Sequence, residues 1–119
     1  MHCLVADATC VPLRSRVDAA LCLTNTWGTM SDKLAVLGEM RRPAPATGTR
    51  LITVYASTSV APRRKWYANL GHEVVESTDE HIRTSGGFVS EHFTEERLRS
   101  LIGDCAIRAI GDVAYLAQA

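Results

Sequence analysis

Long apolar runs, a charge of one sign, paired cysteines and the common catalytic signatures are all missing from this sequence. No stretch approaches the ~20 apolar residues that cross a bilayer. That argues against a membrane partner. Thirteen Lys+Arg are matched by thirteen Asp+Glu, for a net charge of zero. A broad electrostatic grip on nucleic acid or on an anionic surface is therefore not expected. Neutrality also leaves little repulsion to resist self-association. The cysteines, Cys3, Cys10, Cys22 and Cys105, are irregularly spaced, with no C-x-x-C pair. Structural zinc sites pair their ligands closely, so no metal is expected. The thiols read as reduced, most of them packed as small hydrophobes. The opening Met1-His2-Cys3-Leu4-Val5 carries no charged leader or cleavage site, and the expected location is cytoplasmic. His2, His72, His81 and His92 are scattered. There is no G-x-S-x-G, H-E-x-x-H, Walker or G-x-G-x-x-G motif, and only Gly86-Gly87 are adjacent glycines.

What is present is ordinary globular chemistry: 119 residues, 46% of them apolar, which suits one domain over residues 1–119. His2 to Ala6 and Val17 to Leu23 are nearly continuous apolar runs, the pattern of strands buried on both faces of a parallel sheet. Between them, Asp7-Ala8-Thr9 turns the chain and Val11-Pro12-Leu13 forms a loop. Ser31 is placed to cap a helix with Leu34, Leu37 and Met40 as its apolar stripe, ending before Pro43. Arg50 to Tyr55 is β-branched and reads as a strand. Pro62 and Gly71 bracket a second helix. His72 to Glu76 reads as a strand, with Ile82 on its partner. Thr94 caps a third helix that faces Leu98, Leu101 and Ile102 inward, with Glu95 and Glu96 in its first turn. Cys105 to Ile110 and Val113 to Ala117 form a hairpin about Gly111-Asp112. Strands alternating with helices, then a closing antiparallel hairpin, indicate an α/β fold with a mixed sheet.

Three stretches carry chemistry, each with a plainer reading beside it. Asp7 stands where the first run ends, and in open α/β sheets ligands sit outside the carboxyl ends of strands. It either accepts a hydrogen bond from a ligand or simply forms a turn. Leu23-Thr24-Asn25-Thr26-Trp27-Gly28 offers two hydroxyls, an amide and an indole. It reads as a pocket edge for a small ligand, or as a polar loop with Trp27 buried for packing. Ser85 to Thr94 carries two glycines with Phe88, His92 and Phe93, which either cover a site or pack inward as a plain connection. Arg63-Arg64-Lys65-Trp66-Tyr67 mixes base and aromatic as nucleic-acid binders do. Flanked by acidic segments, it reads as a solvated helix face.

In this order the pieces resemble the carboxyl-terminal half of the class I S-adenosylmethionine-dependent methyltransferases. Ala6-Asp7-Ala8-Thr9 with Val11-Pro12-Leu13 is similar to the family's loop after its third strand. Val17 to Asn25 is similar to its fourth strand and following loop. Leu37-Gly38-Glu39-Met40-Arg41-Arg42 and Gly48-Thr49-Arg50-Leu51-Ile52 are similar to its next helix and fifth strand, and Gly87 to Thr94 resembles a segment of its small-molecule members. The resemblance covers nearly the whole chain. It implies an incomplete Rossmann-like methyltransferase sheet, S-adenosylmethionine as cofactor and a small-molecule methyl acceptor. It also implies roles. Asp7 would meet the adenine amino group and the Ala8 amide the ring edge. Leu23, Thr24 and Asn25 would border the methionine part, while Asn25, Trp27, Phe88 and His92 would line the acceptor side. Asp18 would be structural. The family's glycine-rich loop and its ribose-binding acid have no counterpart in the sequence, so the expected cofactor binding is weak and the isolated chain is expected to be a partial enzyme. The competing expectation is a non-catalytic α/β module that binds a partner or pairs with itself. In the family two further strands lie between the third and fourth. The runs at His2–Ala6 and Val17–Leu23 would lack these neighbours, so they either pair directly or leave an edge for a homodimer.

Overall fold

The β-branched run at the middle of the sequence becomes the strand on which the fold is built. The computed structural model describes residues 3–119. Strand β1 (Ala19–Cys22) leads through helix α1 (Lys33–Arg41) to β2 (Thr49–Tyr55), which pairs parallel to β1. Next come α2 (Val60–Asn69), β3 (Val74–Ser77), β4 (His81–Thr84), β5 (Val89–Glu91) and α3 (Glu95–Ile102). The hairpin β6 (Ala106–Ile110) and β7 (Ala114–Gln118) closes the sequence. The main sheet has the order β1-β2-β7-β6, with β7 antiparallel to both β2 and β6. A smaller antiparallel sheet has the order β3-β4-β5. The α/β class, the mixed sheet and the closing hairpin stand as read from the sequence.

Along β2 the side chains alternate as a half-buried strand requires. Ile52 and Val54 are closed from solvent, while Leu51, Thr53 and Tyr55 are partly covered on the other face. Around them pack Trp27, Val36, Leu37, Phe93, Leu98, Ile102 and Ala117. Trp27 stacks on Phe93 with ring centroids 5.6 Å apart. Its indole N–H donates to the Lys33 carbonyl at 3.0 Å, which satisfies the one polar atom the burial would orphan. Backbone bonds from Phe93 N to Tyr55 O and from Ser57 N to Phe93 O tie the end of the small sheet to the end of β2. In α3 the capping Thr94 accepts from Arg97 N, and Leu98 and Ile102 are buried as their spacing requires.

Several local expectations need correction. Residues 3–7 form no strand, and His2 lies outside the described residues. Cys3 to Ala6 are exposed, and the connection from them to β1 is short for a parallel crossover onto its free edge. The run at 17–23 yields a strand of four residues, and its faces are not both buried: Leu21 is 57% exposed. Helix α1 is capped by Asp32 rather than Ser31, with the Asp32 carboxylate accepting from Ala35 N at 2.9 Å. Its buried face is accordingly Val36 and Leu37, and Leu34 points to solvent. The segment 85–94, expected to be either a cover or a plain connection, contains strand β5.

Candidate functional site

The loop after β1 divides two cavities, one running along β1 to its carboxyl end and one at the carboxyl ends of β1 and β2. Leu23 and Thr26 border the first, and Thr24 and Asn25 border the second. Both Thr24 and Asn25 hold positive φ, 56° and 59°. Asn tolerates this region, whereas a β-branched residue there is strained and persists only where surrounding bonds fix it. They do so here. Thr24 N donates to Thr53 Oγ1 at 2.7 Å, and Asn25 N to the Thr53 carbonyl at 3.1 Å.

The Asn25 side chain is a bracket between three elements. Its Oδ1 accepts from Tyr55 N at 2.9 Å, at the end of β2. Its Nδ2 donates to Ser90 Oγ at 2.9 Å and to the Glu91 carbonyl at 3.1 Å, both in β5. Tyr55 N is an obligate donor, so the orientation of the amide is fixed by chemistry. A side chain at residue 28 would intrude on this bracket: a Cβ on Gly28 would lie 2.5 Å from Asn25 Oδ1. Glu91 also pairs through one oxygen with Lys33 and through the other with Arg97, at 2.8 Å for the latter.

The second cavity holds about 380 Å³. Aromatic rings supply much of its lining, from Tyr55, Trp66, Tyr67, His72 and Phe88. Thr24, Thr29, Thr84 and Ser90 also line it, with the Thr24 and Thr29 hydroxyls donating to the Leu23 and Thr26 carbonyls. Apolar walls with a few convergent polar groups are the common design of a small-molecule site. Behind the wall lies Arg63, only 4% exposed. Its Nη2 donates to Ser90 Oγ at 2.7 Å and to the Ser90 carbonyl at 3.0 Å. Its guanidinium carbon sits 4.1 Å from the Tyr55 ring centre. Burial pushes the Tyr55 hydroxyl up from its ordinary value, reinforced by Tyr67 and opposed by Arg63.

The first cavity is a different kind of space. Ala19, Ala20, Leu21, Cys22 and Leu23 border it in succession, so it runs along the free edge of β1 rather than over one face. Ala8, Val11 and Leu13 roof it, and Glu39 and Met40 of α1 form its far side. The roof is pinned from α1. Glu39 Oε2 accepts from Val11 N at 2.8 Å, and the Arg42 guanidinium donates to the carbonyls of Val11 and Leu13. Asp7 forms a turn in which Oδ1 accepts from Thr9 N at 2.8 Å and Thr9 Oγ1 at 2.7 Å. Those two bonds, backbone first, hold its carboxyl below the usual carboxylate range, so it stays ionised.

The residues singled out in the sequence are therefore distributed unevenly. Ala8 and Leu23 share the first cavity and Thr24, Asn25 and Phe88 the second, while Asp7 is exposed and lines neither. Trp27 lines neither and is fully enclosed against Phe93, the packing reading of its loop. His92 is 1% exposed and borders a separate, open cavity with Ser57, Thr78 and Asp79. Burial, then Arg63, lowers its pKa. Arg63 and Ser90 went unnoticed in the sequence. The stretch 63–67 reads as a solvated face, but Arg63 and Tyr67, four apart and thus on one side of α2, both turn inward. That spacing of a guanidinium and a phenol was the one available signal.

The sequence matches no protein-family model and no curated protein sequence. Solved structures do resemble it. A protein of Pyrococcus horikoshii superposes with a TM-score of 0.68 at 14% identity, covering 95% of this chain and 58% of its own. An S-adenosylmethionine-dependent methyltransferase of Clostridium acetobutylicum gives 0.58 at 10% identity, covering 97% and 63%. The 1,6-didemethyltoxoflavin-N1-methyltransferase of Burkholderia thailandensis, with 1,6-didemethyltoxoflavin and S-adenosylhomocysteine bound, gives 0.61 at 13%, covering 97% and 48%. The chain thus spans about half to three-fifths of the length of these neighbours. The likeness establishes the fold, that of the Rossmann-like class I methyltransferases.

Proposed function

We propose that this chain, folded as part of a class I S-adenosylmethionine-dependent methyltransferase, carries the acceptor side and one edge of the cofactor site of such an enzyme. The observation that carries this reading is the loop Leu23–Asn25, which divides an aromatic cavity from a groove roofed by Ala8 at the carboxyl ends of parallel strands. Ligands of open α/β sheets bind at that place. The residues at the upper end of the groove suit an adenine ring. Ala8, Leu23 and Met30 line it and are apolar; Asp7, exposed beside Ala8 and outside the lining, keeps Oδ2 unused by any hydrogen bond among the described residues. When bound, the cofactor supplies an electrophilic methyl group. The chain's own residues would orient the acceptor and exclude water, which is most of what such a transfer asks of a protein. No acid–base dyad is required of it.

Isothermal titration of the purified chain with S-adenosylmethionine tests the proposal. The adenine side and the acceptor side are supplied, without a glycine-rich turn for the opposite end of the cofactor, so weak binding is expected. Asp7→Ala is expected to weaken it further by about 1–2 kcal/mol, the worth of a charge-assisted hydrogen bond. Unchanged affinity would remove Asp7 from the site. Low-micromolar binding, about −8 kcal/mol, would overturn the expectation of a partial site. The four free thiols accord with a reducing cytoplasmic setting, which cell fractionation checks.

A second reading rests on the free edge of β1, where Leu21 and Leu23 are 57% and 43% exposed. Such an edge templates pairing with a second copy of the chain. On this reading the chain is a non-catalytic module, and sedimentation at micromolar concentration would find a dimer that does not bind S-adenosylmethionine.

A further inference from the structure

Arg63 is a permanent charge buried without a counter-charge. The ion pairs among the described residues use Lys33, Arg42, His81, Arg83, Arg97 and Arg99. Glu91, in the neighbouring strand, has both carboxylate oxygens taken by Lys33 and Arg97. Arg63 is left with neutral partners: Ser90, the Tyr67 hydroxyl at 3.4 Å, His92 Nδ1 at 3.3 Å, and the rings of Tyr55 and Tyr67, 4.1 and 5.7 Å from its guanidinium carbon. Its Nε has no partner among the described residues. An enclosed guanidinium lacking an anion is costly, and ring faces offset only part of that cost.

Ser90 shows where the missing negative charge belongs. Its hydroxyl oxygen accepts from two obligate donors, Arg63 Nη2 and Asn25 Nδ2. Both lone pairs are thereby occupied. The hydroxyl proton must then be donated in the one remaining direction, and it meets no acceptor among the described protein groups. Ser90 lines the aromatic cavity. Two donors on the oxygen, one of them cationic, polarise the O–H and strengthen it as a donor.

We propose that the aromatic cavity selects a planar aromatic ligand bearing an anionic oxygen, a carboxylate or phenolate. That oxygen accepts from the Ser90 hydroxyl, with the Arg63 charge directly behind it. The ring lies among Tyr55, Tyr67 and Phe88. Resting on the reading of this cavity as the acceptor site, the inference makes the methyl acceptor an aromatic acid or phenol.

The test uses the whole chain and two probes of matched shape, naphthoate and naphthamide, titrated near neutral pH and followed by NMR chemical shifts. Naphthoate is expected to bind about tenfold more tightly, as charge-assisted hydrogen bonds exceed neutral ones. Ser90→Ala removes the donor and is expected to bring the two probes to within about threefold of each other. Arg63→Met, of similar volume, should remove the preference altogether, and thermal melts of each variant report whether it folds. If Arg63→Met does not fold, Ser90→Ala decides. Equal binding of the two probes, binding of neither, or an undiminished preference in Ser90→Ala overturns the proposal. The cofactor titration stands apart from it. Cofactor binding without anion preference removes this inference alone, whereas anion preference without cofactor binding removes the methyltransferase reading and leaves an aromatic-acid site.

Discussion

Two regions meet at the loop after β1, and they are held by different physics. Toward the aromatic cavity, Asn25, Ser90, Arg63 and Tyr55 form a buried hydrogen-bonded cluster in which each member fixes another. Toward the free edge of β1, residues 3–17 lie over α1 on the bonds of Glu39 and Arg42, with most of their side chains in water. A buried polar cluster in low dielectric is rigid when complete and expensive when broken. A surface strap is cheap to break and free to move. The aromatic cavity is thus pre-organised, which lowers the entropy cost of binding a ligand there. The β1 side can rearrange around whatever it meets.

Breaking the bracket gives the largest effect expected. Asn25→Ala orphans Tyr55 N and the Glu91 carbonyl and leaves an alanine at φ 59°. Each buried unpaired group costs about 1–3 kcal/mol and the left-handed backbone about 1 more. A loss of about 3 kcal/mol in urea unfolding is expected; a loss below about 1 kcal/mol would show that the cluster is not what holds this end of the sheet.

Gly28→Ala attacks the same bracket by crowding rather than deletion. The added Cβ meets the Asn25 amide, which cannot withdraw without giving up a bond. Overpacking of this kind costs about 1–3 kcal/mol, and about 2 kcal/mol is expected. If Gly28→Ala is neutral while Asn25→Ala is costly, the amide has room that the geometry denies it.

The two regions also differ in how far the sequence disclosed them. Elements with local signals were legible: the β-branched Arg50–Tyr55, the Thr94 cap with Leu98 and Ile102, and the Gly111-Asp112 turn. The bracket was visible only as a suspicion about Asn25. Strand β5 inverts the usual pattern, exposing Val89 and burying Ser90, so periodicity gave no strand there. Arg63 packs on Tyr55 and Tyr67, near in sequence, but Ser90 and His92, which its guanidinium bonds, lie 27 to 29 residues away, beyond any local window. At the other region the apolar composition of His2 to Ala6 and Val17 to Leu23 suggests two buried strands, although His2 lies outside the described residues. Composition reports what a segment would do with a neighbour, and this chain pairs β1 with β2 alone.

Leu21→Lys sharpens the comparison from the exposed side. In a monomer the change touches little, and stability should move by no more than about 0.5 kcal/mol. If two chains pair along β1, a lysine facing its symmetry mate should abolish the dimer at micromolar concentration. Sedimentation of both proteins distinguishes these outcomes, and a wild-type chain that runs as a monomer ends the self-association reading.

The smallest effect concerns the strap itself and is confined to residues 7–13. The bonds from Arg42, then the Val11 amide, hold the Glu39 carboxyl below its ordinary range. A carboxylate depressed in this way contributes fully above its unfolded pKa, and the contribution fades as pH falls through the lower folded value. The strap should therefore stay docked across neutral and mildly acid pH and loosen below the usual glutamate range, while the bracket, which contains no carboxyl side chain, holds. Hydrogen exchange at the Val11 amide, corrected for its intrinsic pH dependence, reads this directly. Protection there should fall in acid and already be low at neutral pH in Glu39→Gln, with the Asn25 and Tyr55 amides unchanged in both cases. If the Val11 and Tyr55 amides lose protection together, strap and bracket open as one unit, and the contrast between the two regions is lost.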